Sequence, residues 1–192
     1  MKRIDILLFD DFTALDAFGP AEVLGGLEDC ALRFVSLAGG EVGNHLGLRV
    51  MTEKLDPKEP RFILLVPGGF GTRPGSGDPE LLGLIREAAA SSEYLLSVCT
   101  GSALLAAAGL LDGLRATSNK TAFEWASGCG PALWDRQARW VRDGRVFSSA
   151  GVSAGIDMAL GFVSEIYGDD KAESIARRIE YHRNPVADRD IF

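Results

Sequence analysis

Apolar residues run along this chain in short continuous blocks, separated by longer stretches in which they recur at helical spacing. The blocks are IDILLF (4–9), ALRFVSLA (31–38), LRVMT (48–52), FILLVP (62–67), YLLSV (94–98) and RVFSSA (145–150). Several are unbroken rather than alternating, which is the pattern of strands covered on both faces. Between them, DPELLGLIREAAAS opens with Asp78 as N-cap and Pro79 at the first helical position, then places Leu81, Leu82, Ile85, Ala88 and Ala89 on one side. AGIDMALGFVSEIYG repeats this with Ile156, Ala159, Leu160, Val163 and Ile166, and KAESIARRIEY with Ala172, Ile175, Ala176 and Ile179. Alternation of this kind predicts an α/β fold, a mostly parallel sheet with helices on both faces and right-handed crossovers. In RWVRDGRVFSS, Asp143-Gly144 lies between two β-rich runs and predicts a small antiparallel hairpin. No repeat, low-complexity tract or linker interrupts the pattern, so residues 1–192 are expected to form a single domain. The Gly and Pro cluster PGGFGTRPGSGDP (67–79) reads as a loop within it.

Composition narrows the function classes. The 192 residues are 46% hydrophobic and 24% charged, enough for one well-buried core. Lys plus Arg number 20 against 27 for Asp plus Glu, a net charge of −7, so nucleic acid is not an expected partner. Asp5 breaks the apolar run of MKRIDILLFDDF, and no signal peptide is expected. The longest apolar stretch, Ala103 to Leu111, is too short to cross a bilayer, so no membrane partner is expected and a cytoplasmic location is. Cys30, Cys99 and Cys129 are odd in number and widely spaced, with no C-x-x-C and no histidine pair nearby. That argues against a disulfide framework and a zinc site, and neither metal nor cofactor is expected. Cys30 and Cys129 read as small buried hydrophobes.

Cys99 is different because of where it falls. In YLLSVCTGSALLAAAGLL the strand-like run ends at the cysteine, and a helix beginning near Thr100 or Gly101 places Cys99 on the turn between them. Ligands of open α/β sheets bind beyond the carboxyl ends of the strands. The turn resembles a nucleophile elbow in geometry, although C-T-G-S lacks the flanking glycines of G-x-S-x-G. Unpaired N–H groups and the positive end of a helix favour thiolate and can hold an oxyanion. A cysteine merely buried at a strand end would give the same local pattern. LVPGGFG supplies glycines at the same sheet edge, where a backbone N–H can approach a substrate; the sixth position of a dinucleotide fingerprint would be Pro74, so that reading is weak. FDDFTALDAFGPAEVL carries Asp10, Asp11, Asp16 and Glu22. Of these, Asp16 stands among Leu15, Ala17 and Phe18, a setting that can bury a carboxyl and raise its pKa. His45 (in a turn) and His182 (near the end of a helix) are not tied to Cys99 by spacing, and a tyrosine-phosphatase loop is excluded because Leu105 stands where its arginine would be.

Taken together, DDFTALDAFGPAEVL, LLVPGGFG, SVCTGSALLAAAGLLDGLRATSNK and GRVFSSAGVSAGIDMAL resemble the successive landmarks of the ThiJ/PfpI superfamily, with its class I glutamine-amidotransferase-like fold. The resemblance covers nearly the whole chain and implies a flavodoxin-like three-layer sandwich. It implies Cys99 as nucleophile, Asp16 as acidic partner, and the backbone N–H groups of Gly69 and Thr100 as oxyanion donors. It also implies a homodimer with active sites near the interface. The pairing of Asp with Cys-Thr-Gly is most similar to the isonitrile hydratase branch, in which a thiolate adds to the isocyanide carbon and water releases an N-formamide. Thr100 replaces the histidine that follows the cysteine in the protease-like branch. ATSNK (116–120) replaces the ATTHW frequent in the hydratase branch, which alters the pocket wall near Asn119. Three readings follow: an isonitrile-hydratase-like enzyme acting on a small molecule; another thiol-dependent enzyme of the superfamily, such as a glyoxalase, deglycase or amidase; and a non-catalytic sensor in which Cys99 is oxidised.

Overall fold

The computed structural model describes residues 1–192. Its elements, in order, are β1 (Lys2–Leu7), α1 (Ala14–Leu24), β2 (Cys30–Ser36), β3 (Gly40–Gly43), β4 (Arg49–Lys54), β5 (Arg61–Val66), α2 (Thr72–Gly75), α3 (Pro79–Ala90), β6 (Ser92–Val98), α4 (Gly101–Ala107), β7 (Arg115–Ala116), α5 (Phe123–Ser127), β8 (Leu133–Trp134), β9 (Trp140–Asp143), β10 (Val146–Ser149), α6 (Ala154–Tyr167) and α7 (Asp169–Arg178). Eight strands form one sheet in the order β3-β4-β2-β1-β5-β6-β10-β9, and β7 with β8 form a small second one. The sheet is parallel except at its edges, where β3 runs against β4 and β9 against β10.

The unbroken apolar runs divide between two cores. In β5, Ile63 and Leu65 face one side, while Leu64 and Val66 face the other; in β6, Leu96 and Val98 part from Leu95 in the same way. That is the two-residue period of a strand with no solvent face. One side is covered by α1, α6 and α7 through residues such as Val23, Leu160 and Ile175, and the other by α3 and α4 through Leu81, Ile85 and Leu104. Asp78 caps α3 as its sequence predicts, accepting N–H bonds from Glu80 and Leu81 at 2.9 and 3.3 Å. The Asp143-Gly144 hairpin is present, with Gly144 at φ 57°.

Several elements lay outside the sequence reading. Helix α1 carries the Gly-Pro pair at 19–20 in its interior. A Cβ on Gly19 would stand 2.8 Å from Ile156 Cγ1, so the bare glycine lets α1 approach α6. Strand β3 has two glycines and one large apolar residue, too little signal for a strand; its turn is held by Asn44, whose side-chain oxygen accepts the N–H groups of Leu46 and Leu48. Helix α7 ends at Arg178 and Glu180 turns the chain at φ 51°, so exposed His182 lies beyond the helix rather than in its last turn. Cys30 and Cys129 are half-buried instead of core residues. Cys30 lies at the start of β2, with its sulfur 3.7 Å from the Tyr167 hydroxyl. No helix is long and apolar enough to cross a membrane.

Asp5, which breaks the first apolar run, is buried at the centre of the sheet between two arginines. Its carboxylate accepts from Arg33 at 3.0 and 3.1 Å and from the fully buried Arg61 at 2.9 Å. Arg33 stands opposite Asp5 in the β1–β2 register. Removing one partner of a buried pair strands the other charge, which costs about 3–5 kcal/mol. Asp5→Asn should lower unfolding free energy by that amount in denaturant titration.

Candidate active site

The direction of strand order reverses between β1 and β5, and the loops after β1, β5 and β6 meet at that switch point, where open α/β sheets hold ligands. Cys99 follows β6 there at φ 58°, a left-handed conformation that a residue with a Cβ adopts at a cost of about 1–3 kcal/mol. The turn is over-determined. The Cys99 N–H is shared between the carbonyls of Ser149 and Ala150, both at 3.2 Å, while its own carbonyl accepts the hydroxyls of Ser102 and Ser118, both at 3.0 Å.

The sulfur faces three donors: the backbone N–H groups of Thr100 and Val152 and the side-chain amide of Asn119. Asn119 is locked in orientation because its oxygen accepts the N–H groups of Thr121 and Ala122 at 2.9 and 3.0 Å, leaving its NH₂ toward Cys99. Val152 sits at φ 41°, an outlier for a β-branched residue, in the loop between β10 and α6. On the other side lies Asp16, in the first turn of α1 and fully buried. Its Oδ2 accepts the Gly68 N–H at 3.0 Å, and its Oδ1, equally buried, has no hydrogen-bond partner.

These surroundings set the ionisation of the pair. Burial pushes the Asp16 carboxyl up to about 7, with the Gly68 N–H and the Cys99 thiol acting against it. Burial and then the Asp16 charge push the Cys99 thiol up to about 12, against the pull of Thr100, Asn119 and Val152. The expected depression of the thiol by a helix N-terminus is therefore corrected. Seven-residue α4 starts beside a buried sulfur with a carboxyl next to it, and desolvation outweighs the donors. Across the range between about 7 and about 12, Cys99 and Asp16 hold one proton between them.

Above the cysteine is a cavity of about 180 Å³, lined by Thr13, Gly69, Phe70, Thr72, Arg73, Cys99, Thr100, Asn119, Thr121, Ala122, Trp125 and Val152. Thus Cys99, only 5% exposed, still opens to a ligand-sized space. Cys99, Thr100, Gly69 and Asn119 meet here, with Asp16 behind the sulfur. The Gly69 N–H, expected to face an oxyanion, is bonded to the Thr100 hydroxyl at 3.1 Å, and that hydroxyl also accepts from Thr72 at 3.0 Å. Thr100 therefore ties the β5 loop to the elbow, and the N–H groups that reach the sulfur are those of Thr100 and Val152. Neither histidine belongs to the site: His45 lies at the surface, 3.7 Å from Asp11 and edge-to-face with Phe70. No group of three metal-ligating side chains converges in the molecule. Val152, Thr72 and Trp125 escaped the sequence reading because they come from separate segments that only the fold brings together. The one signal available for Val152 was its place in the AGVSAG run before α6.

Gly68 closes the arrangement from below. A Cβ there would stand 2.6 Å from the Thr100 nitrogen, 2.7 Å from its hydroxyl and 2.9 Å from Asp16 Oδ2. Gly68→Ala should therefore force Asp16 away from Cys99, seen as a changed rate of Cys99 alkylation and destabilisation of about 1–3 kcal/mol.

The chain resembles known proteins in sequence and fold. The chain is 36% identical over 187 residues to the isonitrile hydratase of Pseudomonas putida, covering 97% of this chain and 81% of that one. It superposes with a TM-score of 0.87 on the crystal structure of a ThiJ/PfpI family protein from Pseudomonas syringae, 32% identical, covering 96% of this chain and 76% of that one. It is also 31% identical over 145 residues to the HTH-type transcriptional regulator CdhR of Pseudomonas aeruginosa, covering 75% of this chain but 43% of the regulator. The DJ-1/PfpI family model matches residues 2–165, from the first strand through the elbow cysteine to the helix behind it, and the chain belongs to that family.

Proposed function

We propose that this protein is an isonitrile-hydratase-like enzyme that converts a small isocyanide and water into an N-substituted formamide. One observation carries the reading: the carboxyl of buried Asp16 meets the thiol of a cysteine that opens to a cavity and faces three N–H donors. The family resemblance to an isonitrile hydratase supports it.

The reactive form is the minor arrangement of the one-proton pair, in which the proton has passed from Cys99 to Asp16 and the thiolate is held by Thr100, Asn119 and Val152. The sulfur attacks the terminal isocyanide carbon, and Asp16 gives its proton to that carbon, forming a thioimidate. The carboxylate then takes a proton from water as the hydroxyl adds to the carbon, and passes it to nitrogen. Finally Asp16 takes the proton of the new hydroxyl as the C–S bond breaks, which restores acid and thiolate and releases the formamide. One water is consumed, and no redox or metal step is needed. A general base with a pKa near 7 suits this alternation of acid and base. Apart from Arg73, the cavity wall is uncharged, which suits an uncharged reacting group.

A sensor role for Cys99 fits less well, since oxidation follows exposure and this thiol is only 5% exposed. The remaining superfamily activities act on carbonyl compounds, so the deciding assay presents alkyl and aryl isocyanides, methylglyoxal and a small amide to the wild-type protein. Formamide formed only from isocyanides supports the reading. Turnover of the carbonyl compounds without any isocyanide loss overturns it. A cytoplasmic homodimer remains part of the proposal, to be checked by sedimentation.

A further inference from the structure

We infer that Arg73 selects substrates that carry a carboxylate, or a comparable small anion, remote from the carbon attacked by Cys99. The inference rests on the reading that the cavity above Cys99 receives the substrate. Arg73 is the one formally charged side chain among the twelve that line it. It is also a cation without a counterion: none of the ion pairs of the molecule includes it. The nearest acid in sequence to its aromatic partner, Glu124, is engaged by Arg136 instead.

Arg73 is exposed, but it has an aromatic partner. Its guanidinium carbon lies 4.5 Å from the centroid of the Trp125 ring. Stacking on an aromatic face fixes the guanidinium and leaves its in-plane N–H groups free, the edge that binds a carboxylate through two parallel bonds. Arg73 stands in α2 and Trp125 in α5, so two elements packed on α4 build the feature rather than one surface loop. On a chain of net charge −7 an unpaired cation at a cavity rim is not part of a general basic surface. Asn119 and Val152 serve the sulfur end, and Arg73 marks the opposite requirement of the ligand, a negative charge.

The test compares two alkylating agents that differ in charge and consume the same thiolate, iodoacetate and iodoacetamide. Their rate ratio at Cys99, read by peptide mass mapping that separates Cys30 and Cys129, cancels the thiolate fraction. In the wild type the ratio should exceed that of 2-mercaptoethanol by about fivefold, the size of one partly exposed ion pair. Arg73→Gln should bring it to within about twofold of the free thiol, whereas Arg73→Lys should retain part of the preference by keeping the charge without the stacked fork. A second measurement needs no reaction: N-formylglycine should bind more tightly than N-formylglycinamide, followed by the Trp125 indole N–H resonance, and Arg73→Gln should equalise them. Equal alkylation ratios in wild type and Arg73→Gln, or equal binding of the two formyl compounds to the wild type, overturn the inference. Neither arm involves isocyanide turnover, so failure here is distinct from failure of the hydratase reading.

Discussion

Cys99→Ala should reduce formamide production by at least about 10⁴-fold while leaving the fold intact, because the proposed thioimidate needs the sulfur as its covalent anchor. Loss of the side chain removes one sulfur from the core cluster to which Cys99 belongs, but the backbone bonds of the elbow to Ser149, Ala150, Ser102 and Ser118 do not involve it. The elbow strain persists, since alanine at φ 58° is no easier than cysteine. Circular dichroism and thermal unfolding of the variant should therefore match the wild type within about 1 kcal/mol. Residual activity near the wild-type rate would remove covalent catalysis and with it the proposed reaction.

Asp16→Asn should move activity and stability in opposite directions. An amide cannot exchange the shared proton, so kcat/KM should fall by about 10²–10⁴-fold. In the wild type, kcat/KM should fall tenfold per pH below about 7, where Cys99 and Asp16 are both protonated; in the variant that limb should vanish. Without the carboxylate's charge the Cys99 thiol should titrate below about 12, seen in the pH dependence of its alkylation. The stability effect follows from the same burial. The carboxyl binds its proton more tightly folded than unfolded, so stability declines as pH rises from its ordinary 3.8 through about 7 and stays reduced above. The variant lacks that titration. At pH 8 it should be more stable than the wild type by on the order of 3 kcal/mol, and the gain should shrink steadily toward pH 4. Equal melting temperatures at pH 8 would show that the fold does not raise the Asp16 carboxyl above its ordinary range.

How much of this was legible in the chain depends on how local the cause is. The strand-to-helix seam at Cys99 and the apolar setting of Asp16 are written into consecutive residues, and both are where the sequence places them. The ionisation of Cys99 was not legible. A helix terminus argues for a lowered thiol, but a thiol pKa is a sum over neighbours. The enclosure that raises it most exists only in the folded chain, and the carboxyl that raises it further comes from a helix 83 positions earlier. Gly69 shows the same limit. Its glycine character marked a close approach, yet only the fold shows that its N–H is spent on the Thr100 hydroxyl.

By itself, the order of apolar runs determined the α/β sheet, its parallel core and the β9–β10 hairpin, because side-chain period and chain connectivity leave few ways to bury those runs. The tertiary structure decided the rest: that Asp16 lies behind the sulfur with an unpartnered oxygen, that Val152 and Asn119 point donors at it, and that Arg73 stacks on Trp125 at the cavity rim. Desolvation and charge act through space, and residues far apart along the chain become neighbours only when the sheet is closed over by its helices.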